Sequence, residues 1–126
     1  MLKVLIIDDD QDIRFGLNRV LTRCGHTVCE AESGDEGLDA LANGTFDLIF
    51  CDLRFPIGLS GEETLKIVRE QYPPVKVVMM SCAMGPTEEH SLKALGAADT
   101  VEKPFFKAQC IKTLEKLFPP NDLRVA

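Results

Sequence analysis

The feature that most constrains this sequence is an alternation between short apolar or β-branched runs and amphipathic segments of helical period, repeated five times. The first run is Lys3 to Ile7, and the later ones are 27–31, 48–51, 75–80 and 100–102. Continuous apolar runs of this length are typical of strands that are buried on both faces. Strands that alternate with helices form βαβ units, so the sequence predicts an α/β fold with helices on both faces of a parallel sheet.

Helix start and stop signals lie between the predicted strands. Ser33 with Glu36, and Ser60 with Glu63, match the capping box that begins many helices. Apolar spacing and stop signals predict helices over about 13–24, 33–42, 60–72, 86–95 and 106–117. No linker interrupts the pattern, which predicts one domain at residues 1–118 and a tail or the start of a linker at 119–126.

The composition excludes several classes of protein. Hydrophobic residues make up 45% of the 126 residues, which is enough for a buried core. A total of 14 Lys and Arg against 20 Asp and Glu gives a formal net charge of −6, which argues against nucleic-acid binding by this domain. No apolar run approaches the roughly 20 residues of a membrane span, and the N-terminus lacks a signal-peptide pattern, so we expect a cytoplasmic protein without a membrane partner.

The cysteines fit that compartment. They are odd in number and form no Cys-x-x-Cys pair: Cys24, Cys29, Cys51, Cys82 and Cys110. Most have apolar or β-branched neighbours, which predicts reduced and mostly buried thiols. No ligand spacing indicates a zinc site or a redox pair.

Polar side chains follow four of the predicted strands at the point where each strand ends. Asp8 and Asp9 follow the first strand, Asp52 the third, Ser81 the fourth and Lys103 the fifth. In an open parallel sheet, ligands bind beyond the carboxyl ends of the strands. We therefore expect three carboxylates, one hydroxyl and one ammonium to meet at a single edge of the sheet.

Three carboxylates in one cleft repel each other by about 4 kcal/mol per pair at ~4 Å and an effective dielectric of ~20. A divalent cation relieves this repulsion, and ligands that are all hard oxygens favour Mg²⁺, with Mn²⁺ as the alternative. Such an ion usually keeps several waters, which leaves room for a phosphoryl oxygen. The sequence therefore predicts a magnesium site beside a phosphoryl-binding site.

The other polar residues favour phosphoryl chemistry. Lys103 can supply a point charge to a phosphate, and the Ser81 hydroxyl can donate to a phosphoryl oxygen. A carboxylate can act as a nucleophile and form an aspartyl phosphate. Asp52 is the best candidate because it stands alone on a central strand, beside the pair Asp8 and Asp9.

In this order and at these strand ends, the motifs resemble the receiver domain of two-component response regulators, of the chemotaxis-regulator type. The resemblance covers residues 2 to about 118. It rests on Ile7-Asp8-Asp9-Asp10, Cys51-Asp52-Leu53-Arg54-Phe55-Pro56, Met80-Ser81-Cys82, and Gly96-Ala97 with Lys103-Pro104-Phe105. It implies a flavodoxin-like, doubly wound (βα)5 fold with five parallel strands in the order 2-1-3-4-5.

The resemblance implies a signalling switch and not an enzyme, with Mg-dependent autophosphorylation and autodephosphorylation. Asp52 takes phosphate from a sensor histidine kinase or a phosphotransfer protein. Ser81 turns toward the phosphoryl group, Lys103 pairs with it, and Pro104 follows a cis peptide bond. The face made by the fourth helix, fifth strand and fifth helix then changes, and a homodimer through the last two elements is a further family property.

The resemblance also implies a set of magnesium ligands. Asp9 and Asp52 bind the ion directly, and the backbone carbonyl of Arg54 completes the protein's ligands. Asp8 binds through water.

Several positions depart from the family pattern. The loop after Pro56 is one residue longer than usual and lies beside the site. Arg54 occupies a position that tunes dephosphorylation. Thr100 stands where the family often has an aromatic switch partner, and Phe105 or Phe106 is the alternative for that partner.

Two other functions remain open. Asp8 and Asp10 have the Asp-x-Asp spacing of haloacid-dehalogenase-like phosphatases, although Asp12 replaces the Thr or Val of that motif and no substrate-cap insertion is present. Asp10 is also expected to cap the first helix. The longer loop and Thr100 favour the second alternative, a receiver-fold interaction module without phosphorylation.

Overall fold

The computed structural model describes residues 1–105 and 107–119. Its strands form one parallel sheet in the order 2-1-3-4-5. They are β1 (Lys3–Ile7), β2 (Thr27–Ala31), β3 (Leu48–Asp52), β4 (Lys76–Ser81) and β5 (Asp99–Glu102). The predicted fold class and strand order are confirmed, and each predicted strand ends within one residue of its observed bounds.

Helices connect the strands. They are α1 (Gln11–Arg23), α2 (Gly34–Asn43), α3 (Gly61–Gln71), α4 (Pro86–Ala94) and α5 (Lys107–Leu117). The capping box is complete at α3, where Ser60 accepts from the Glu63 amide and the Glu63 carboxylate accepts from the Ser60 amide. At α2 only half of it forms: Ser33 accepts from the Glu36 amide, whereas the Glu36 carboxylate accepts from the amide of Glu32.

Two apolar clusters, one on each face of the sheet, explain the continuous apolar runs. Along β1, Leu5 and Ile7 pack in the cluster that includes α2 and α3, while Val4 and Ile6 pack in the cluster that includes α1 and α5. All four side chains are fully buried. Successive side chains of a strand point to opposite faces, so a strand between two helical layers needs apolar residues at every position.

The prediction of mostly buried cysteines is wrong. Cys51 and Cys110 are buried, whereas Cys24, Cys29 and Cys82 are exposed. The exposed ones lie at the C-terminal cap of α1, on the edge strand β2 and directly after β4, where apolar neighbours in sequence do not bring a side chain into the core. All five thiols are free.

The last helix ends at Leu117, close to the predicted domain boundary. The predicted tail or linker at 119–126 lies beyond the described residues from position 120 onward. Among residues 1–105 and 107–119, every helix is too short or too polar to span a bilayer.

Candidate phosphoryl and metal site

The strand ends bring the predicted site residues together. Asp8 follows β1, Asp52 ends β3, Ser81 ends β4 and Lys103 follows β5. The parallel register sets these ends side by side. Lys103 Nζ lies 3.0 Å from Asp8 Oδ2 and 3.1 Å from Asp52 Oδ1. Because these residues are far apart in sequence, their contact is a product of the fold.

Asp8, Asp9 and Asp52 form an acid cluster, in which one carboxylate oxygen of each lies within 4.8 Å of the others. Asp8 is fully buried and Asp52 is 6% exposed, whereas Asp9 is exposed. The Asp10 amide donates to Asp8 Oδ1, and the Leu53 amide donates to Asp52 Oδ1, both at 2.9 Å. These backbone donors orient the two buried carboxylates.

The acid cluster and Lys103 contain three carboxylates and one ammonium, a net charge of −2. Burial and the nearby Asp8 raise the pKa of Asp52, and Lys103 opposes only part of that shift. Burial by itself lowers the pKa of Lys103, but its hydrogen bonds and ion pairs with Asp8 and Asp52 outweigh this effect and raise the pKa. Lys103 therefore stays protonated, and the site keeps an excess of negative charge.

The acid cluster fits a small divalent cation. Two oxygens that share Mg²⁺ at about 2.1 Å lie at most about 4.2 Å apart. The observed upper limit of 4.8 Å is a small side-chain adjustment away from that span. The donors are hard oxygens, which favour Mg²⁺ or Mn²⁺ over zinc, and a divalent cation cancels the net charge of the cluster.

A strand-end pocket lies beside the acid cluster. Its lining residues are Asp52, Arg54, Ser81, Cys82, Ala83 and Lys103. Within it, the Ser81 hydroxyl donates to the Ala83 carbonyl at 3.1 Å and accepts from Arg54 Nη1 at 3.3 Å. The pocket therefore joins a carboxylate, a hydroxyl and two cations around one space.

Three backbone features lie around the site: a close approach of α3 to β3, a loop with a positive-φ glycine, and a cis peptide bond. Gly61, the first residue of α3, lies so close to β3 that a Cβ there would stand 2.3 Å from the Asp52 carbonyl oxygen. The loop between Asp52 and Gly61 places Gly58 at φ +81° and leaves Ile57 83% exposed. The Lys103–Pro104 peptide bond is cis, which confirms that expectation.

Phe105, one of the two candidates for the aromatic switch partner, packs against the core and does not lie free on the surface. Phe105 is half-buried and stacks on Phe50, with ring centroids 6.1 Å apart, within the cluster that includes α1 and α5. Thr100 is half-buried on β5. Phe106 lies outside the described residues, so that alternative stays a prediction.

Two charged contacts of the site have no signature in the sequence. Arg14, on α1, donates from Nη1 to the Asp8 carbonyl at 2.7 Å. Glu88, on α4, pairs with Arg54 Nη2 at 3.1 Å. An acid in the first turn of α4 is common because carboxylates stabilise helix N-termini, so Glu88 does not by itself indicate a partner. Arg14 lies one turn into α1, and no local pattern indicates its contact with Asp8.

The family model of the response regulator receiver domain matches residues 4–115. The chain belongs to this family. Among its relatives, the DNA-binding transcriptional regulator NtrC of Klebsiella pneumoniae is 38% identical over 100 residues, which are 79% of this chain and 21% of that protein. The response regulator protein FleR of Pseudomonas aeruginosa is 32% identical over 103 residues, 82% of this chain and 22% of FleR. The receiver thus spans about a fifth of each of these relatives.

Solved receiver structures superpose on almost the whole chain. The chemotaxis protein CheY4 of Vibrio cholerae has a TM-score of 0.88 at 32% identity, covering 94% of this chain and 99% of CheY4. The receiver domain of NtrX from Brucella abortus has a TM-score of 0.86 at 30% identity, covering 93% of this chain and 98% of that domain. Receiver domains are signalling switches of two-component systems.

Proposed function

We propose that this receiver is a phosphoacceptor and that Asp52 takes a phosphoryl group from a phosphohistidine of a sensor histidine kinase or phosphotransfer protein. The observation that carries the proposal is the placement of Asp52. Its carboxylate is held by the Leu53 amide and Lys103, and it lines a pocket with Ser81. This is a nucleophile with a cation and a hydroxyl beside it.

The transfer step forms one bond and breaks one, and the proton that the leaving imidazole nitrogen needs comes from solvent water. An oxygen of the Asp52 carboxylate forms a bond to phosphorus as the phosphorus–nitrogen bond of phosphohistidine breaks. The electron pair of that bond leaves with the imidazole nitrogen, which then takes a proton. Lys103 Nζ, 3.1 Å from Asp52 Oδ1, stabilises the negative charge on the transferred group, and the Ser81 hydroxyl donates to one of its oxygens.

The residues that would hold Mg²⁺ are Asp9 and Asp52 directly, the Arg54 carbonyl from the loop after β3, and Asp8 through water. When bound, Mg²⁺ or Mn²⁺ supplies positive charge to the phosphoryl oxygens and offsets the repulsion within the acid cluster. Asp9 is the exposed member and remains accessible to an ion from solvent.

The phosphorylated state would reorganise the face made by α4, β5 and α5, with Ser81 turning toward the phosphoryl group. We assign this switch to residues 1–118, with 119–126 as a tail or the start of a linker. We further propose that the protein is cytoplasmic and that it forms a homodimer with a second copy of the chain. This domain does not contact nucleic acid in the proposal.

A phosphorylation assay tests the proposal. The protein is incubated with acetyl phosphate and Mg²⁺, and the phosphorylated fraction is measured by intact mass spectrometry. Wild type is expected to gain one acid-labile phosphoryl group, whereas Asp52→Asn gains none and Asp9→Asn gains it only at much higher Mg²⁺. Asp39→Asn, on the exposed part of α2, is the matched control and is expected to behave as wild type.

The first alternative function conflicts with an observed contact of Asp10, and the phosphorylation assay tests the second. In the phosphatase reading, Asp10 would be an acid catalyst, but its carboxylate accepts from the amides of Asp12 and Ile13 and caps α1. In the interaction-module reading, wild type would gain no phosphoryl group and would bind no Mg²⁺.

A further inference from the structure

The Arg54 side chain links the strand-end pocket to helix α4. Its Nη1 donates to Ser81 Oγ at 3.3 Å, and its Nη2 pairs with Glu88 Oε2 at 3.1 Å. Ser81 ends β4, and Glu88 lies in the first turn of α4. One guanidinium therefore contacts both the phosphoryl pocket and the element that follows it in the chain.

Helix α4 has few other attachments to the domain. Leu92 is its one buried residue, and its N-terminal cap, Gly85, supplies no side-chain hydrogen bond. In contrast, α3 buries four residues and has a complete capping box. The contact between Arg54 and Glu88 is therefore one of the contacts that position the first turn of α4, together with the bond from the Met84 amide to Glu102 just before the helix.

The Arg54 side chain is also held weakly enough to move. It is 70% exposed, and exposed ion pairs contribute little to stability. Conversion of the Asp52 carboxylate to an acyl phosphate adds about one negative charge and three acceptor oxygens to a pocket that Arg54 already lines. A guanidinium can bind such a group in a bidentate geometry through Nη1 and Nη2, and Nη2 is the nitrogen that pairs with Glu88, so the two anions compete for it.

We propose that Arg54 is an exchangeable latch, bound to Glu88 in the unphosphorylated protein and transferred to the phosphoryl group on Asp52, so that phosphorylation frees the first turn of α4. The latch rests on the proposed function. By linkage, Glu88 and the phosphoryl group compete for one cation, so removal of Glu88 strengthens phosphoryl binding by the factor by which phosphorylation weakens the Glu88 contact.

A double-mutant cycle with a phosphoryl mimic tests the latch. Beryllofluoride affinity is measured by titration calorimetry with Mg²⁺ for wild type, Glu88→Gln, Arg54→Ala and the double variant. Glu88→Gln is expected to bind about two- to fivefold more tightly, the range for one exposed ion pair. In the Arg54→Ala background the same substitution should have no effect. Glu89→Gln, which breaks the exposed pair with Lys93 in the same helix, is the control and should leave the affinity unchanged in both backgrounds.

Hydrogen exchange of the free protein supplies a second readout. Amides of α4 are expected to exchange two- to fivefold faster in Glu88→Gln and in Arg54→Ala, with no further increase in the double variant.

If Glu88→Gln tightens beryllofluoride binding equally with and without Arg54, its effect is general charge repulsion and the latch is overturned. If wild type binds beryllofluoride and the exchange effects simply add, the latch alone fails. If wild type binds none, the proposed phosphoacceptor role fails with it.

Discussion

Two cations contact Asp8, one at its backbone carbonyl and one at its carboxylate, and their surroundings differ. Arg14, with a side chain 9% exposed, donates to the Asp8 carbonyl and pairs with Glu30 and Glu32, whose side chains are 35% and 70% exposed. Lys103, whose side chain is also 9% exposed, pairs with the carboxylates of Asp8 and Asp52, whose side chains are 0% and 8% exposed.

The difference separates a structural cation from one at a reactive site. The carboxylates around Arg14 reach water, so solvent screens their charge and they need no further cation. The carboxylates around Lys103 do not, and a third one, Asp9, stands beside them. This unbalanced negative charge favours a divalent cation beside Lys103, and the two cations together would offset the charge of an incoming phosphoryl group.

The largest expected effect is that of Lys103→Met. Removing the one ammonium that lies between two buried carboxylates should lower the free energy of unfolding by about 3–5 kcal/mol at pH 7. Urea denaturation without divalent ions measures this change. Lys93→Met, which breaks an exposed pair on α4, should cost less than about 0.5 kcal/mol. Equal losses in the two variants would contradict the contrast.

Magnesium should stabilise the protein by binding the acid cluster beside Lys103 and not the carboxylates around Arg14. At one hundred times its dissociation constant, a ligand of the native state adds about 2.7 kcal/mol to the free energy of unfolding. Denaturation with and without Mg²⁺ measures the gain. At the same Mg²⁺ concentration, Asp9→Asn should lose most of this gain and Glu32→Gln should keep it. The reverse pattern would place the ion among the carboxylates around Arg14.

Replacing Arg14 should have a smaller effect than replacing Lys103. In Arg14→Met the buried Asp8 carbonyl loses a donor, at a cost of about 1–2 kcal/mol, while Glu30 and Glu32 remain hydrated. Urea denaturation compares the two variants directly. A loss equal to that of Lys103→Met would mean that both clusters are structural.

The smallest expected change is in the pH dependence of the free energy of unfolding that Asp52 causes. Because burial and Asp8 raise the pKa of Asp52, the native state binds more protons than the unfolded state between the ordinary and the raised pKa. Stability from this group is present at low pH and is lost as pH rises through the raised pKa. Asp52→Asn, which cannot ionise, should therefore slightly stabilise the metal-free protein at pH 7. A less stable variant at pH 7 would show that Lys103 outweighs the repulsion.

Most of the fold follows from local patterns in the chain. β1 and β3 are fully apolar between their ends because both faces of the sheet are covered, and the strand ends are marked by Asp8 and Asp52. The edge strand β2 is less apolar because it is more exposed, and its β-branched residues Thr27 and Val28 are the local signal for it. The strand order depended on the family resemblance, since many orders satisfy the same apolar runs.

The contacts of long charged side chains did not follow from the sequence. The main-chain positions of Asp8, Asp52 and Lys103 are set by strand ends, which the topology aligns. Arg14 and Arg54 reach their partners through several rotatable bonds across neighbouring elements. The angle of α4 and the path of its preceding loop decide whether Glu88 meets Arg54, and neither has a signature in the chain.

The central claim, that Asp52 is the phosphoacceptor, is tested most directly by locating the phosphoryl group. The protein is phosphorylated with acetyl phosphate and Mg²⁺, reduced with borohydride to convert the acyl phosphate to homoserine, and sequenced by tandem mass spectrometry. The account predicts homoserine at position 52 alone. Modification of Asp8, Asp9 or Asp10, or of no aspartate in a protein that binds Mg²⁺, would contradict it.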